Sequence, residues 1–274
     1  MIRALLASLG FIGLAGGVQA NCAGSAEACE IETGSYHIDL PKTESPPLVV
    51  FLHGYGGNGA ATMRNKNMRD GLIARGYAVM APNGSRQVGE GRGLSWNFFP
   101  GWEGRDEGAF LSEAVANAVK RFKVDPERVI LSGFSAGGFM VSYLACATPD
   151  MFSAYTPVSG GFWRPHPTTC SGPVRMFHTH GWTDNVVPLE GRKLGGGKFQ
   201  QGDIFAGLEI WRSANACPDN RPSSFSNTGP FMRRKWAGCA DGSALELALF
   251  PGGHQVPQGW ADMMADWYEG LPGS

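Results

Sequence analysis

Short, uninterrupted apolar runs recur along the chain, and segments with helical spacing lie between them. Such runs are typical of strands buried on both faces, because a strand with one exposed face alternates apolar and polar residues. The runs are PLVVFLH, YAVMAP, RVILSGF, SAYTPVSG, VRMFHTHG and ALELALF. Helices are predicted over residues 60–75, 107–123, 137–148, 203–216 and 257–270. The alternation predicts an α/β fold with a mostly parallel central sheet and helices on both faces.

Three other segments complete the predicted organisation. SYHIDL is predicted to form an early antiparallel strand. Residues 83–106 and 187–202 are long loops rich in glycine. Because long loops in a compact domain often build binding sites, both are candidates for the walls of a site.

The first twenty residues have the organisation of a secretory signal peptide. Arg3 supplies a positive charge, ALLASLGFIGLAGG is a short apolar stretch, and Ala20 is a small residue suited to cleavage. A membrane anchor is the alternative, but the apolar stretch is short for a bilayer span and lacks a stop-transfer flank. We expect residues 1–20 to be a signal peptide, residues 21–274 to form a single domain, and the protein to be secreted, extracellular or periplasmic.

The cysteine count fits an exported protein, because an even number in an oxidising compartment favours disulfides. Pairing in sequence order, which is one of several possible connectivities, gives Cys22–Cys29, Cys146–Cys170 and Cys217–Cys239. The chain has no C-x-x-C motif, so no zinc or redox site is indicated. The formal net charge of −1 gives no reason to expect nucleic acid or an anionic membrane as a partner.

The stretch LSGFSAGGF, residues 131–139, contains a serine within the spacing G-x-S-x-G. An apolar strand leads into it and a helix follows, which is the context in which this motif indicates a nucleophile. Gly133 and Gly137 lack side chains, so strand and helix can approach closely and Ser135 is raised at the carboxyl end of the sheet. The alternative is a serine in an ordinary turn, since the chain has 40 glycines. We predict Ser135 as the nucleophile.

A serine hydroxyl needs a general base, and in this architecture the partners follow in the order Ser, Asp or Glu, His. His254 lies after the last predicted strand and is the predicted base. Asp184 follows a strand at the same sheet edge and is the predicted acid, which would orient the imidazole. Of the competing acids, Asp150 is interpreted as capping a helix end and Asp203 as a helix N-cap. The others are Asp219, Asp241 and Glu190.

The segment FLHGYGGNG, residues 51–59, follows an apolar strand and predicts an oxyanion hole. The predicted donors are the N–H groups of Tyr55 and Ala136. A phosphate-binding loop is the alternative, but neither G-x-G-x-x-G nor a G-K-[ST] ending is present. His178 and His180 alternate along one strand and share a face, so they resemble a pair of metal ligands. Without a third ligand nearby we interpret them as structural or pocket-lining, and we expect no metal and no organic cofactor.

Four motifs together, FLHGYGGNG, GFSAGGFM, HGWTDNVVP and GGHQVP, resemble those of secreted α/β-hydrolase esterases of the polyhydroxybutyrate depolymerase and feruloyl esterase group. The resemblance covers nearly all of the chain from Gly34 onward. It implies an α/β-hydrolase catalytic domain with Ser135 as nucleophile, Asp184 as acid, His254 as base and the loop after His53 as oxyanion hole. The cysteines of SANAC and WAGC match a pair often seen in the group. One departure is that Val256-Pro257 stands where the group often has Trp-Pro.

Several aromatic residues lie near these motifs and are candidates for substrate binding. We predict Trp182, Trp96 and Trp260 as pocket residues, and Trp182 is favoured because it lies two residues before Asp184. Core packing is the alternative for each of them.

The expected function is hydrolysis of carboxylic esters through an acyl-enzyme, with hydroxyalkanoate oligomers or polyesters as substrates. A feruloyl or acetylxylan esterase is the alternative. A serine peptidase with the same triad order is disfavoured because the chain has no propeller domain. A non-catalytic binding protein on the same fold is disfavoured because all four site motifs are intact.

Overall fold

The structure is a computed structural model that describes residues 22–273 except residues 24, 26 and 92. The predicted signal peptide, residues 1–20, lies outside the described residues. Within the described part of the chain, no helix has the length and apolar character needed to cross a membrane.

Ten strands form one sheet, and two short hairpins lie beside it. The strands are β1 (Cys29–Ile31), β2 (Gly34–Asp39), β3 (Leu48–Leu52), β4 (Ala78–Pro82), β5 (Arg86–Val88), β6 (Gly93–Ser95), β7 (Val129–Phe134), β8 (Ala154–Val158), β9 (Arg175–Gly181), β10 (Lys193–Leu194), β11 (Phe199–Gln200), β12 (Ser224–Thr228), β13 (Phe231–Trp236) and β14 (Ala244–Phe250). The order in the large sheet is β1-β2-β4-β3-β7-β8-β9-β14-β13-β12. From β4 to β14 in this order, neighbouring strands pair in parallel. All other neighbours in the sheet pair antiparallel.

Helices cover both faces of this sheet. They are α1 (Gly59–Met63), α2 (Lys66–Ala74), α3 (Glu107–Phe122), α4 (Ala136–Ala147), α5 (Ile204–Ala214) and α6 (Trp260–Glu269). Alternate side chains of the buried strands point to opposite faces, so the core has two layers. Leu48 and Val50 belong to the core layer that includes side chains of α3, α4 and α5, whereas Val49 belongs to the layer that includes side chains of α2 and α6. The predicted α/β fold, with a mostly parallel sheet between helices, is confirmed.

The predicted helix over residues 60–75 is two helices. Asn65 causes the break, because its side chain accepts a hydrogen bond from the N–H of Met68 and caps the second helix. Asp203 caps α5 as predicted, by accepting from the N–H of Ala206. Asp150 lies in the turn after α4, where Thr148 occupies the C-cap position, so the interpretation of Asp150 as a cap was wrong.

The hairpin of β12 and β13 was not predicted from the sequence. All but one of the β12 side chains are exposed, so the strand has no apolar alternation. β13 carries Arg233, Arg234 and Lys235, and Arg233 pairs with Glu246 on β14. β12 therefore lacks the apolar alternation of a half-buried strand, and three consecutive charged residues interrupt the apolar pattern of β13.

The three disulfides join Cys22 to Cys29, Cys146 to Cys170, and Cys217 to Cys239. This is the pairing in sequence order that was predicted. Cys146 lies on α4, the helix that follows Ser135, so its disulfide ties that helix to the segment before β9.

Candidate active site

Ser135 lies on the sharp turn between β7 and α4, near the middle of the sheet. Its φ of 57° and ψ of −115° lie in a region that non-glycine residues rarely adopt, which costs roughly 1–3 kcal/mol. Surrounding hydrogen bonds hold this conformation: the Ser135 N–H donates to the Val158 carbonyl at 3.0 Å, and the Phe139 N–H donates to the Ser135 carbonyl at 2.9 Å. The turn therefore presents the serine at the carboxyl edge of the parallel strands.

Glycines on either side of Ser135 allow a backbone approach that a side chain would block. A Cβ at Gly133 would lie 2.6 Å from the carbonyl carbon of Gly137. A Cβ at Gly137 would collide with the carbonyl oxygen of Leu52 on β3. The G-x-S-x-G spacing thus brings the start of α4 close against two central strands, as the sequence analysis predicted.

We predict that Gly137→Ala destabilises the fold by about 2–4 kcal/mol, because the backbone of Leu52 on the central strand β3 must shift to admit the methyl group. Gly207→Ala is the matched control: Gly207 lies inside α5, and its added Cβ would be 3.7 Å from the Phe162 ring, an ordinary contact. The control should gain about 0.5–1 kcal/mol from helix propensity. Urea unfolding of both variants measures the difference, and equal stabilities would contradict the packing described here.

Asp184 and His254 form a hydrogen-bonded pair at the same edge of the sheet. His254 Nδ1 lies 2.7 Å from Asp184 Oδ2, and Asp184 is 5% exposed. With the carboxylate ionised, Nδ1 donates and Nε2 keeps a free lone pair. The other carboxylate oxygen accepts from the N–H groups of Val186 and Val187, at 2.9 and 2.8 Å. These contacts fix the carboxylate, which in turn fixes the imidazole.

The His254 ring also packs on Phe134, the residue before Ser135, with 4.6 Å between ring centroids. Asp184 and His254 are 70 residues apart in sequence, and Ser135 lies on a third element. The structure therefore brings the three predicted residues to one edge of the sheet.

Opposing effects set the pKa of Asp184. Burial alone would raise it, but the hydrogen bond from His254 and the N–H groups of Val187 and Val186 outweigh burial and hold the pKa below its usual value. The carboxylate is therefore ionised throughout the neutral range. A permanent negative charge beside His254 stabilises the imidazolium that forms when the imidazole accepts a proton.

The loop after β3 lies against the serine. A Cβ at Gly54 would be 3.3 Å from the Ser135 Cβ, so the loop passes beside the nucleophile. In the described part of the chain, no hydrogen bond uses the N–H of Tyr55 or of Ala136. Ala136 is the first residue of α4, where helical N–H groups have no intrahelical acceptor. Both N–H groups remain available to an anionic oxygen.

His53 holds this loop in place through both ring nitrogens. Nδ1 lies 2.8 Å from the Gly54 carbonyl, and Nε2 accepts from the Gly84 N–H at 3.0 Å. The Trp96 indole donates to the His53 carbonyl at 2.8 Å. Burial lowers the pKa of His53 to about 4, with a further lowering from the charge of Arg105, although the Gly54 hydrogen bond opposes both. A neutral His53 thus connects the Gly54 loop to the segment after β4.

We predict that the fold loses stability as pH falls from about 6.5 to about 4. An unfolded histidine binds a proton near pH 6.5, whereas folded His53 does so near pH 4. The stabilising contribution is therefore complete above pH 6.5 and is lost progressively as pH falls to the folded value, by about 3 kcal/mol. Urea unfolding at several pH values in this range measures the slope.

His53→Gln is the variant that tests this assignment. It should flatten the slope without abolishing it, because burial also lowers the pKa values of His178 and His180. An unchanged slope in His53→Gln would contradict the role of His53.

His178 and His180 lie on β9 and share a face, as their alternation predicted. Their rings are parallel, and His178 Nε2 lies 3.1 Å from His180 Nδ1. His180 Nε2 donates to the Val187 carbonyl at 2.8 Å. Their nitrogens thus support the Asp184–Val187 loop, which agrees with the structural interpretation.

A cavity of about 600 Å³ opens beside Ser135, and Tyr55 and Ala136 also line it. Besides Tyr55, five aromatic side chains line it: Phe98, Trp102, Phe139, Trp163 and Phe199. Both glycine-rich loops predicted to build a site contribute to it, the first through residues such as Arg86 and the second through residues such as Arg192. A second cavity of about 430 Å³, beside Asp39 and Arg69, has no lining residue in common with it.

Two of the three tryptophans predicted for substrate binding are core residues instead. Trp96 has no exposed surface and packs on the His53 ring. Trp260 is 1% exposed and packs edge-on against Phe51, in the layer covered by α6. Neither side chain reaches the cavity, so these predictions were wrong. Trp182 is 49% exposed and lies outside the cavity lining, and its role in binding stays a prediction.

Several cavity-lining residues were not predicted from the sequence, among them Arg86, Arg192, Phe199 and Gln201. These four residues come from the two loops whose internal hairpins, β5–β6 and β10–β11, bring them to Ser135. The sequence indicated that these two loops would line the site. It did not indicate which of their side chains point toward the cavity, because that depends on the hairpins.

Comparison with known proteins gives related sequences across most of the chain. Feruloyl esterase C of Emericella nidulans is 27% identical over 252 residues, which cover 86% of this chain and 82% of the relative. Poly(3-hydroxyalkanoate) depolymerase C of Paucimonas lemoignei is 33% identical over 128 residues. A bifunctional acetylxylan esterase/xylanase of Neocallimastix patriciarum is 27% identical over 188 residues. The aligned regions cover 66% of this chain and 24% of the bifunctional protein, and 46% of this chain and 30% of the depolymerase.

Solved structures share the fold. An acetyl xylan esterase from Aspergillus awamori superimposes with a TM-score of 0.65 at 15% identity, over 86% of this chain and 93% of the other. The Bacillus cereus carboxylesterase gives a TM-score of 0.57 at 16% identity, over 87% of this chain and 94% of the other. These likenesses agree with an α/β-hydrolase fold.

A family model described as Esterase PHB depolymerase matches residues 35–173, about half of the chain. The match includes the Gly54 loop, the turn at Ser135 and the helix that follows it. The chain belongs to the Esterase PHB depolymerase family.

Proposed function

We propose that this chain is a secreted serine esterase that hydrolyses carboxylic esters through an acyl-enzyme. The observation that carries the proposal is the hydrogen-bonded pair of His254 and Asp184 beside Phe134, which places an oriented imidazole at the turn that presents Ser135. Membership of an esterase family supports the same reaction.

In the proposed first step, Ser135 Oγ attacks the ester carbonyl while His254 Nε2 accepts the hydroxyl proton. The C–O bond to the leaving alcohol then breaks, and the imidazolium returns the proton to that alcohol. Water attacks the acyl-enzyme in the second step, again with His254 as base, and releases the acid and free Ser135. The fixed Asp184 carboxylate stabilises the imidazolium in both steps.

The oxyanion of each tetrahedral intermediate would lie between the N–H groups of Tyr55 and Ala136. Both groups lie beside Ser135, on the loop after β3 and at the start of α4. A donor that is already oriented toward the developing charge stabilises it without reorganisation, and removing one such donor in other hydrolases costs about 10²–10³ in rate. We assign no metal or organic cofactor to the reaction.

For the substrate we propose hydroxyalkanoate oligomers or polyesters, because the family carries the name of polyhydroxybutyrate depolymerases. Feruloyl esters are the second candidate, since the cavity lining includes six aromatic side chains, which suit an aromatic acyl group. Acetylated xylan is a third class, named in a relative that acts on it.

We also propose that the protein is exported. The three disulfides support an oxidising compartment. The N-terminal sequence has the composition of a signal peptide, and its removal would leave a single catalytic domain over residues 21–274.

A turnover panel tests the function and separates the substrates. It compares 3-hydroxybutyrate trimer, methyl ferulate and acetylated xylan at matched ester concentration, with a short peptide amide included for a peptidase. We expect the trimer to be cleaved with the highest kcat/KM and the peptide to be left intact. Hydrolysis of the peptide in preference to every ester would overturn the assignment as an esterase, and no turnover of any member would favour a binding protein.

A further inference from the structure

Among the residues that the structure describes, two arginines are the charged side chains that line the cavity beside Ser135. They are Arg86, on β5, and Arg192, just before β10. The described lining contains no aspartate, glutamate or lysine. The acidic residues nearest to them in sequence, Glu90 and Glu190, are not part of that lining. The cavity lining therefore carries a net positive charge. It lies next to the aromatic floor, by which we mean the side chains of Phe98, Trp102, Phe139, Trp163 and Phe199.

Both guanidinium groups are positioned without a carboxylate partner. Arg86 stacks over the Trp102 ring, with 4.0 Å between its Cζ and the ring centroid. The Arg192 Nε donates to the Val186 carbonyl at 2.7 Å. None of the ion pairs in the described residues includes either arginine. Each charge is therefore held in place while its terminal N–H donors remain free for a ligand.

The supports of both arginines are parts of the site itself. Trp102 packs edge-on against Trp163 and Phe199, with ring centroids 5.6 and 5.9 Å apart, so the Arg86 stack rests on the aromatic floor. Val186 donates its N–H to Asp184 and gives its carbonyl to Arg192, so the same residue fixes both groups. An anion bound by these arginines would therefore lie at a fixed position relative to the catalytic residues.

We propose that Arg86 and Arg192 bind a free carboxylate of the substrate, so that the site prefers esters that carry a negative charge away from the scissile bond. A guanidinium matches a carboxylate through two parallel N–H donors, and such charge-assisted bonds are strong when the donors are already oriented. An oligomer of a hydroxy acid has this chemistry, since it has internal esters and a free carboxyl end. The inference rests on the esterase activity proposed above and specifies its substrate class.

Two matched pairs of substrates test the proposal. The first pair is the 4-nitrophenyl monoester of adipic acid, whose acyl part ends in a carboxylate, and the neutral methyl ester of that compound. The second is 3-hydroxybutyrate trimer, whose carboxylate is at the alcohol side of the last ester bond, and its methyl ester. We expect the wild-type enzyme to favour the anion in at least one pair by about tenfold in kcat/KM. The pair that responds identifies the side of the ester that enters the cavity.

Variants assign that preference to the arginines. Arg192→Gln and Arg86→Gln should each lower the ratio of anionic to neutral kcat/KM by about threefold to tenfold, and the double variant should bring it close to one. Lys193→Gln is the matched control, because it removes the same charge from the neighbouring residue, which is exposed and does not line the cavity. It should leave the ratio unchanged.

Three outcomes separate the claims. Equal turnover within both pairs in the wild type would overturn carboxylate recognition while leaving the esterase assignment intact. An equal fall of the ratio in Lys193→Gln and Arg192→Gln would also overturn it, because a general surface field would then explain the preference. Failure to cleave the neutral esters as well as the anionic ones would instead contradict the proposed function.

Discussion

Ser135→Ala is expected to lower kcat/KM for 4-nitrophenyl acetate by about 10⁵-fold or more, because no covalent intermediate can form without the hydroxyl. Residual hydrolysis would come from the N–H groups of Tyr55 and Ala136 and from bound substrate. The substitution removes one oxygen atom, and the hydrogen bonds that hold the turn use the Ser135 backbone. The unfolding transition should therefore stay close to that of the wild type. Steady-state kinetics and urea unfolding of the same preparation measure both quantities.

Ser142→Ala is the matched control for this variant. Ser142 lies on α4, two turns after the nucleophile, and its hydroxyl donates to the Gly138 carbonyl at 3.1 Å within the helix. Its loss should change stability by about 1 kcal/mol and leave kcat/KM within about twofold. Activity of Ser135→Ala within tenfold of the wild type would remove Ser135 from the mechanism.

Asp184→Asn is expected to lower kcat by about 10⁴-fold, the scale seen when the acid of such a triad is changed to an amide. In the wild type the Asp184 carboxylate accepts from His254 Nδ1, whereas the NH₂ group of the new amide can donate to that nitrogen. The ring would then carry its proton on Nε2, and Nε2 could no longer accept the proton of Ser135. Because the pKa of Asp184 lies below its usual value, the wild-type carboxylate is ionised at neutral pH and the loss should be observed there.

Asp203→Asn controls for the general effect of removing a carboxylate. Asp203 caps α5 by accepting from the Ala206 N–H, and an asparagine oxygen can make the same bond. We expect wild-type kinetics from this control and similar unfolding of both variants. A loss of less than tenfold in Asp184→Asn would show that the His254–Asp184 hydrogen bond does not orient the base.

Much of the fold follows from local pattern. The buried parallel strands are continuous apolar runs, and β9 and β14 occur where VRMFHTHG and ALELALF predicted them. The split between α1 and α2 was missed because Asn65 competes with the helix by capping a new one, a choice that apolar spacing does not reveal. The β12–β13 hairpin was missed because β12 is polar and exposed and because charged residues interrupt the apolar pattern of β13.

The candidate site was predictable to the extent that topology determines it. The carboxyl ends of parallel strands lie at one edge of the sheet. Ser135, Asp184 and His254 each follow such a strand, in the chain order of a hydrolase triad, so we expect them to lie together. The cavity walls were not predictable in this way. Trp96 lies in a loop that was predicted to build the site, and Trp260 follows the GGHQVP motif closely, but both face the core. Arg86 and Arg192 line the cavity because of hairpins within the long loops.

Covalent labelling with a fluorophosphonate tests the central claim most directly, because the reagent reacts with a serine only when a base and an oxyanion site activate it. Intact mass and peptide mapping of the labelled protein locate the adduct. We predict one adduct, on Ser135, which is absent in Ser135→Ala and forms far more slowly in Asp184→Asn. An unlabelled wild-type protein, or an adduct on another residue, would contradict the assignment of Ser135 as the nucleophile.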